Sequence, residues 1–274
     1  MIGLSCWCGT RTFAMACAVL LFAAGTGQGI APTRAAAEPQ AQEAALDPAP
    51  PPLEAGPLRY HGAWGGLHVA DVTLTLRGDS QAYWGDMNIN TRGLLGWAYN
   101  WMAALHTRGT LTDSADLRPT VFERRFVQSD DSGAVIIEYD STGLAQGFED
   151  GEPQTAIAPH LRQDTVDPLA ALIGLRQHVL SGHKGRVTMA VFDGKRRIDV
   201  IASIEPPRTT RIGSTDHQVI PVTASITPVA GFKPKQARGW ASSHLRVLFS
   251  TDDEALPLRI QVESPVGTAV LTLR

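Results

Sequence analysis

The sequence predicts a mainly β protein: a single domain in which one large curved antiparallel sheet wraps around one main helix, with a short helix besides. Three observations predict it. Beyond residue 57, about a dozen stretches alternate apolar and polar side chains at the period of a strand, as Leu258, Ile260 and Val262 do against Arg259, Gln261 and Glu263. Short Gly- and Asp-containing turns separate them, the pattern of antiparallel pairing in sequence order. One long segment, Asp167 to Gly182, instead reads as a helix that is apolar on most sides. Such a helix must be buried, and a sheet is the partner the rest of the chain offers.

The chain begins with a leader. Residues 1–37 carry Arg11, the apolar run Phe13 to Ala24 and an A-x-A site at Ala35-Ala36-Ala37, the three parts of a secretory signal. A run of about a dozen residues falls short of the ~20 that span a membrane. Cleavage after Ala37 places the mature chain in the periplasm. The alternatives are cleavage nearer Ala24 to Gly27, and an uncleaved leader that anchors the chain in the inner membrane. All three cysteines, Cys6, Cys8 and Cys17, lie in this leader. Cys17 opens the apolar run instead of following it, which argues against a lipid-modified cysteine. The mature chain then has no disulfide, thiolate ligand or thiol nucleophile, and must be held by core packing alone. Losing Arg11 and Arg34 takes Lys+Arg from 24 to 22 against 27 Asp+Glu, a charge of about −5, which argues against nucleic-acid binding. Residues 38–56, rich in Pro and Ala, cannot bury enough apolar surface to order themselves and read as a disordered tether. The domain proper is 57–274.

Strands begin at Leu58 to Trp64, turn at Gly65-Gly66, and continue through Leu67 to Arg77 and Gln81 to Thr91. Leu94, Trp97, Ala98, Trp101, Met102 and Leu105 then fall on one helical face, predicting the short helix over Gly93 to Leu105. Strands resume at His106 to Leu111, Pro119 to Gln128 and Ala134 to Tyr139, the last two joined across Asp130 to Gly133. Residues 141–166 are weakly patterned and read as a long loop. After the main helix, Arg186 to Phe192 and Arg197 to Ala202 meet across Asp193-Gly194, a two-residue hairpin signal. Gln218 to Thr227 is a strand, Pro228 to Gly239 a basic loop with Lys233, Lys235 and Arg238, and three strands follow at 245–250, 258–264 and 268–273.

The main helix has its ends written in the sequence. Asp167 is the N-cap, its carboxylate accepting first-turn N–H groups. Pro168 falls at the first helical position, where no N–H is needed, and Ser181-Gly182 supplies the stop. Leu169, Leu172, Ile173, Val179 and Leu180 recur at helical spacing, and Arg176 stands in the middle of that stripe. A charge there must be satisfied. Either it bonds an acid or carbonyls on a strand as a structural clamp, the favoured alternative, or it faces a pocket and receives an anionic ligand group.

The order of several segments resembles a known family. It comprises Val72, Leu74 and Leu76; Gly93-Leu94-Leu95 to Tyr99; Leu117-Arg118-Pro119; Asp167, Leu169, Leu175 and Arg176; Val191, Asp193 and Gly194; and Leu256 to Ile260. Over about residues 57–274 the chain resembles the bacterial domain-of-unknown-function family 3108, found in exported proteins. The resemblance implies a β-rich exported protein, expected to be like the half-barrel of bacterial lipoprotein carriers. It implies no activity, cofactor or catalytic residue.

No catalytic or metal motif emerges. There is no G-x-S-x-G, and Ser181 with His183 and Ser243 with His244 lie in a turn and on a strand. The histidines show no ligand spacing. Asp130-Asp131 and Asp252-Asp253 suit turns, and Asp164 with Asp167 suits a helix start. No cofactor is expected. The basic loop is read as a soluble loop, with peripheral contact to anionic headgroups as the alternative. The expected function is therefore non-enzymatic binding of an apolar or lipid-like ligand, or an accessory role in the cell envelope, with Trp97, Trp101 and Leu172 lining an apolar pocket beside the helix. The alternative is an interaction module with a fully packed core that binds an envelope protein. An uncharacterised hydrolase ranks third.

Overall fold

The computed structural model describes residues 56–78, 81–93, 96, 100–112, 116–128 and 131–274; the leader and nearly all of the tether lie outside them. Strands β1 (Leu58–Trp64), β2 (Leu67–Gly78), β3 (Ala82–Thr91), β4 (Trp101–Leu111), β5 (Leu117–Gln128) and β6 (Asp131–Tyr139) run up and down in turn. Two short strands, β7 (Ala145–Glu149) and β8 (Glu152–Gln154), precede helices α1 (Pro159–Arg162) and α2 (Pro168–Leu180). The second half holds β9 (Gly185–Phe192), β10 (Arg197–Ile204), β11 (Arg208–Ile212), β12 (Thr215–Ala230), α3 (Pro234–Ala241), β13 (His244–Ser250), β14 (Pro257–Ser264) and β15 (Gly267–Leu273).

All fifteen strands belong to one sheet in the order β8-β7-β6-β5-β4-β3-β2-β1-β15-β14-β13-β12-β10-β9, with β11 branching from β12. Strand β1 pairs with both β2 and β15, so the first and last strands lie side by side in the middle of the sheet. The two edges, β8 and β9, are instead neighbours in sequence. The chain between them is α1 and α2, so the helices occur where the sheet fails to close. Alternation decides which side chains face inward. Val72 and Leu74, Val135 and Ile137, and Ile198, Val200 and Ala202 are buried, while their neighbours along each strand are at most half-buried.

Helix α2 fills the concave side. Asp167 caps it, its Oδ1 accepting the N–H groups of Leu169 (3.0 Å) and Ala170 (2.8 Å), and Pro168 takes the first position. Gly182 ends it at φ 71°, a left-handed conformation open to glycine, with Gly182 N–H donating to Val179 and His183 N–H to His178. Leu169, Ala170, Ala171, Ile173, Gly174, Leu175 and Val179 are buried against β3, β4, β5 and β9. Each buried Leu or Ile there contributes roughly 1.5–3 kcal/mol. Leu172 is half-buried and Leu180 exposed, because the small face of Ala170, Ala171 and Gly174 packs inward beside the expected stripe.

Several sequence expectations are corrected. Of the helix expected over Gly93 to Leu105, Gly93 and Gly96 are helical, with Gly96 N–H donating to Arg92 O and Asn100 N–H to Gly96 O, and the part from Trp101 on is strand instead. Strand β4 starts at Trp101, because Ala103, Leu105 and Thr107 point inward at strand period and Thr91 Oγ1 bonds both main-chain groups of Trp101 at 2.9 Å. Residues 141–166 contain β7, β8 and α1. The basic loop is the end of β12 followed by α3, ordered by its buried Trp240. Strand β11 was unforeseen. The β9–β10 connection has four residues, 193–196, with Phe192 opposite Arg197. Asp193 shapes it: its Oδ1 accepts the N–H groups of Lys195 (2.9 Å) and Arg196 (2.6 Å).

Candidate functional site

The seam between the sheet edges is a wedge, tight at one end and open at the other. At the tight end backbone meets backbone. A methyl group on Gly147 of β7 would lie 2.3 Å from the carbonyl oxygen of Gly194, and only glycine allows that approach. Lys195 pairs with Glu149 across the same gap. Asp193 Oδ2 accepts from Arg196 Nε at 2.8 Å, and that guanidinium lies over the rings of Phe232 and Trp240. Below them buried Arg162 donates to the carbonyls of Ile157 (3.1 Å) and Ala145 (2.5 Å) and to Gln146 Oε1 (2.8 Å), fixing the chain between β8 and α2 onto β7.

Midway, one residue bridges the gap. Val166 N–H donates to Ala190 O at 2.8 Å and Val166 O accepts from Phe192 N–H at 2.9 Å, so Val166 pairs in parallel with Val191 of β9. Beyond Val166 the walls part into a cleft of about 990 Å³. One wall is Thr188, Met189 and Ala190 of β9. The other comes from the ends of β4 and β5 (Thr110, Leu117, Arg118, Thr120) and the turn after β6 (Tyr139, Asp140, Ser141). Gly174 and His178 of α2 form the floor. That floor is close-packed: a Cβ on Gly174 would sit 2.8 Å from Leu117 and 3.3 Å from Met189.

The cleft carries charge of both signs. Asp116, Asp140 and Asp164 face Arg118 and His178. The Thr142 hydroxyl and the Leu144 N–H hold the Asp140 carboxyl below its usual range. Burial lowers His178, reinforced by the His183 ring at 5.3 Å, with Asp116 opposing, so its imidazole is neutral at pH 7. Among the described residues no three His, Cys, Asp or Glu side chains converge as metal ligands.

Behind the cleft wall lies a buried polar node. Asp167 Oδ2 accepts from Thr107 Oγ1 at 2.7 Å while Oδ1 caps α2. Burial pushes its carboxyl up to about 6, against the lowering effect of the Ala170, Thr107 and Leu169 donors. The hydroxyls of Tyr83 and Tyr139 are buried beside it. Burial, then the Asp167 charge, raises both, so they stay protonated. With both carboxylate oxygens engaged and the carboxyl fully buried, the node holds α2 in place.

The residues singled out from sequence separate into several places. Asp167 and Pro168 start α2; Asp193 and Gly194 form the tight end of the seam. Arg176 is half-buried, not buried as expected, and its Nε donates to Glu254 O at 2.8 Å in the β13–β14 connection, outside the cleft. The buried arginine that clamps with carbonyl bonds is Arg162. Trp101 and Leu172 pack against the main core and do not line the cleft; Trp97 lies outside the described residues. Val166, Thr188, Tyr139 and His178 were not anticipated. Only the long run without pattern before Asp167 marked this region.

Comparisons with known proteins bear on fold and family. A crystal structure described as a beta-barrel-like protein of domain of unknown function DUF1849 from Brucella abortus is similar in fold, with TM-score 0.53 and 12% identity over 80% of this chain and 95% of that one. No curated protein matches. The described strands of this chain form one large antiparallel sheet that does not close. Residues 59–274 match the model of a family described as protein of unknown function (DUF3108), and the chain belongs to that family.

Proposed function

We propose that this is an exported, non-enzymatic binding protein that takes an extended polypeptide segment into the seam cleft, adding it as a strand to β9. The observation that carries the proposal is the outer edge of β9. Val166 bonds to that edge as one residue of a parallel strand would. Strand alternation turns the N–H and C=O of Thr188 and Arg186 the same way as those of Ala190. Among the described residues nothing else pairs there. Such an edge is a template for strand addition.

The lining favours a peptide over the apolar or lipid-like ligand expected from sequence. Thr110, Arg118, Thr120, Asp140, Ser141 and Asp164 present hydroxyls and charges, whereas a lipid chain calls for apolar walls. The sheet's concave side is occupied by α2, so the interaction module is favoured over the carrier. Export rests on the leader, and an intact mass for the mature chain beginning at Glu38 checks it. The binding test is panning of a random-peptide display library against the wild type and Thr188→Pro. Proline removes the N–H facing the cleft and is tolerated on an edge strand. Peptides retained by wild type and lost by the variant support the proposal; equal retention, or none, contradicts it.

A further inference from the structure

A second site lies on the outer face of the sheet, away from the seam. Arg186, Ser203, Thr223, Arg246 and Gln261 stand directly opposite one another across β9, β10, β12, β13 and β14. Their strand neighbours Val187, Ala202, Ala224 and Val262 are buried in the core, so this row faces outward. It floors a groove of about 560 Å³. The groove runs into a smaller pocket of about 90 Å³ where Arg208, Arg246 and Arg259 converge over Leu248, with Thr210 and Gln261 beside them.

The acids nearby are already engaged. Glu205 accepts from Arg208 at 3.2 Å and Thr223 at 3.3 Å, and Glu263 from Gln261 at 2.7 Å. Arg186 and Arg246 have no ion pair among the described residues, and the Nε of Arg259 is buried without a partner. A chain of net charge −3 thus gathers four arginines on one patch with only two acids among them. Like charges this close repel, an arrangement that an anion relieves. Guanidinium groups bind the oxygens of a phosphate in bidentate fashion, and Thr210 and Gln261 add neutral donors.

We propose that this pocket binds a phosphate-type oxyanion, seated on Arg246 and Arg259 with Arg208 closing over it. The probes are inorganic phosphate and anionic phosphatidylglycerol vesicles, each against wild type and Arg246→Gln, with chloride of matched ionic strength as control. Phosphate should give saturable amide shifts at Arg246, Arg259 and Thr210 that chloride does not reproduce. Arg246→Gln should weaken binding at least tenfold while the fold, read by circular dichroism, is unchanged. Co-sedimentation with vesicles that depends on Arg246 identifies a lipid headgroup as the source; phosphate binding without it identifies a free anion. Shifts that chloride matches, or that survive Arg246→Gln, would overturn the proposal.

Discussion

At the scale of single residues, Asp167 carries most consequence. Its carboxyl is pushed up to about 6 in the folded chain against about 3.9 when unfolded. The native state therefore binds its proton more tightly. The stability it contributes is fully present below about pH 4 and is lost as pH rises through about 6, a change of roughly 3 kcal/mol. Asparagine caps helices as well as aspartate and still pairs with Thr107. Asp167→Asn should thus leave stability at pH 4 nearly unchanged, raise the denaturation midpoint at pH 7.5, and flatten the profile between. A loss of stability at pH 7.5 would mean the buried charge is favourable. The two clamping arginines make a second pair. Arg176→Ala removes one half-exposed bond to Glu254 O and should cost about 1 kcal/mol. Arg162→Ala strips buried carbonyls of their donor and should cost roughly 3 kcal/mol. Chemical denaturation of both variants decides it. The sequence marks the Asp167 cap because capping is local. It cannot separate Arg162 from Arg176, since burial of an arginine depends on which strand it meets.

At the scale of elements, what was legible is what local pattern encodes. Strands with strict alternation, such as β2, β10 and β14, and a helix with Asp-Pro at one end and Ser-Gly at the other, are found nearly at their predicted bounds. Trp101 and Leu105 share a face in a helix and in a strand alike, and pairing with β3 and β5 decided for the strand, which turns Met102 outward. β7, β8 and β11 are too short to show a period. The cleft was not legible, because its walls come from segments more than 40 residues apart that meet only when the sheet curls. The Gly147–Gly194 contact makes that curl specific. Gly147→Ala forces a methyl into the Gly194 carbonyl and should cost about 1–3 kcal/mol by overpacking. Amide exchange should quicken along β7 and at Val166 more than in β1 or β15. Uniform quickening would mean the seam does not open on its own.

At the scale of the whole molecule, the topology places the longest helix among the described residues where the sheet does not close. Helix α2 fills the concave side, and the proposed binding therefore uses the β9 edge along the cleft. The residue-by-residue exchange pattern of β9 tests this most directly. In the free protein the N–H groups of Val187 and Met189, which face β10, should be protected, while those of Arg186 and Thr188, which lie on the unpaired edge of β9, exchange quickly. On adding a peptide recovered by display, Thr188 should become protected and Met189 stay as it was. Protection of Thr188 in the free protein, or no change at Thr188 when the peptide is bound, would contradict strand addition at this edge.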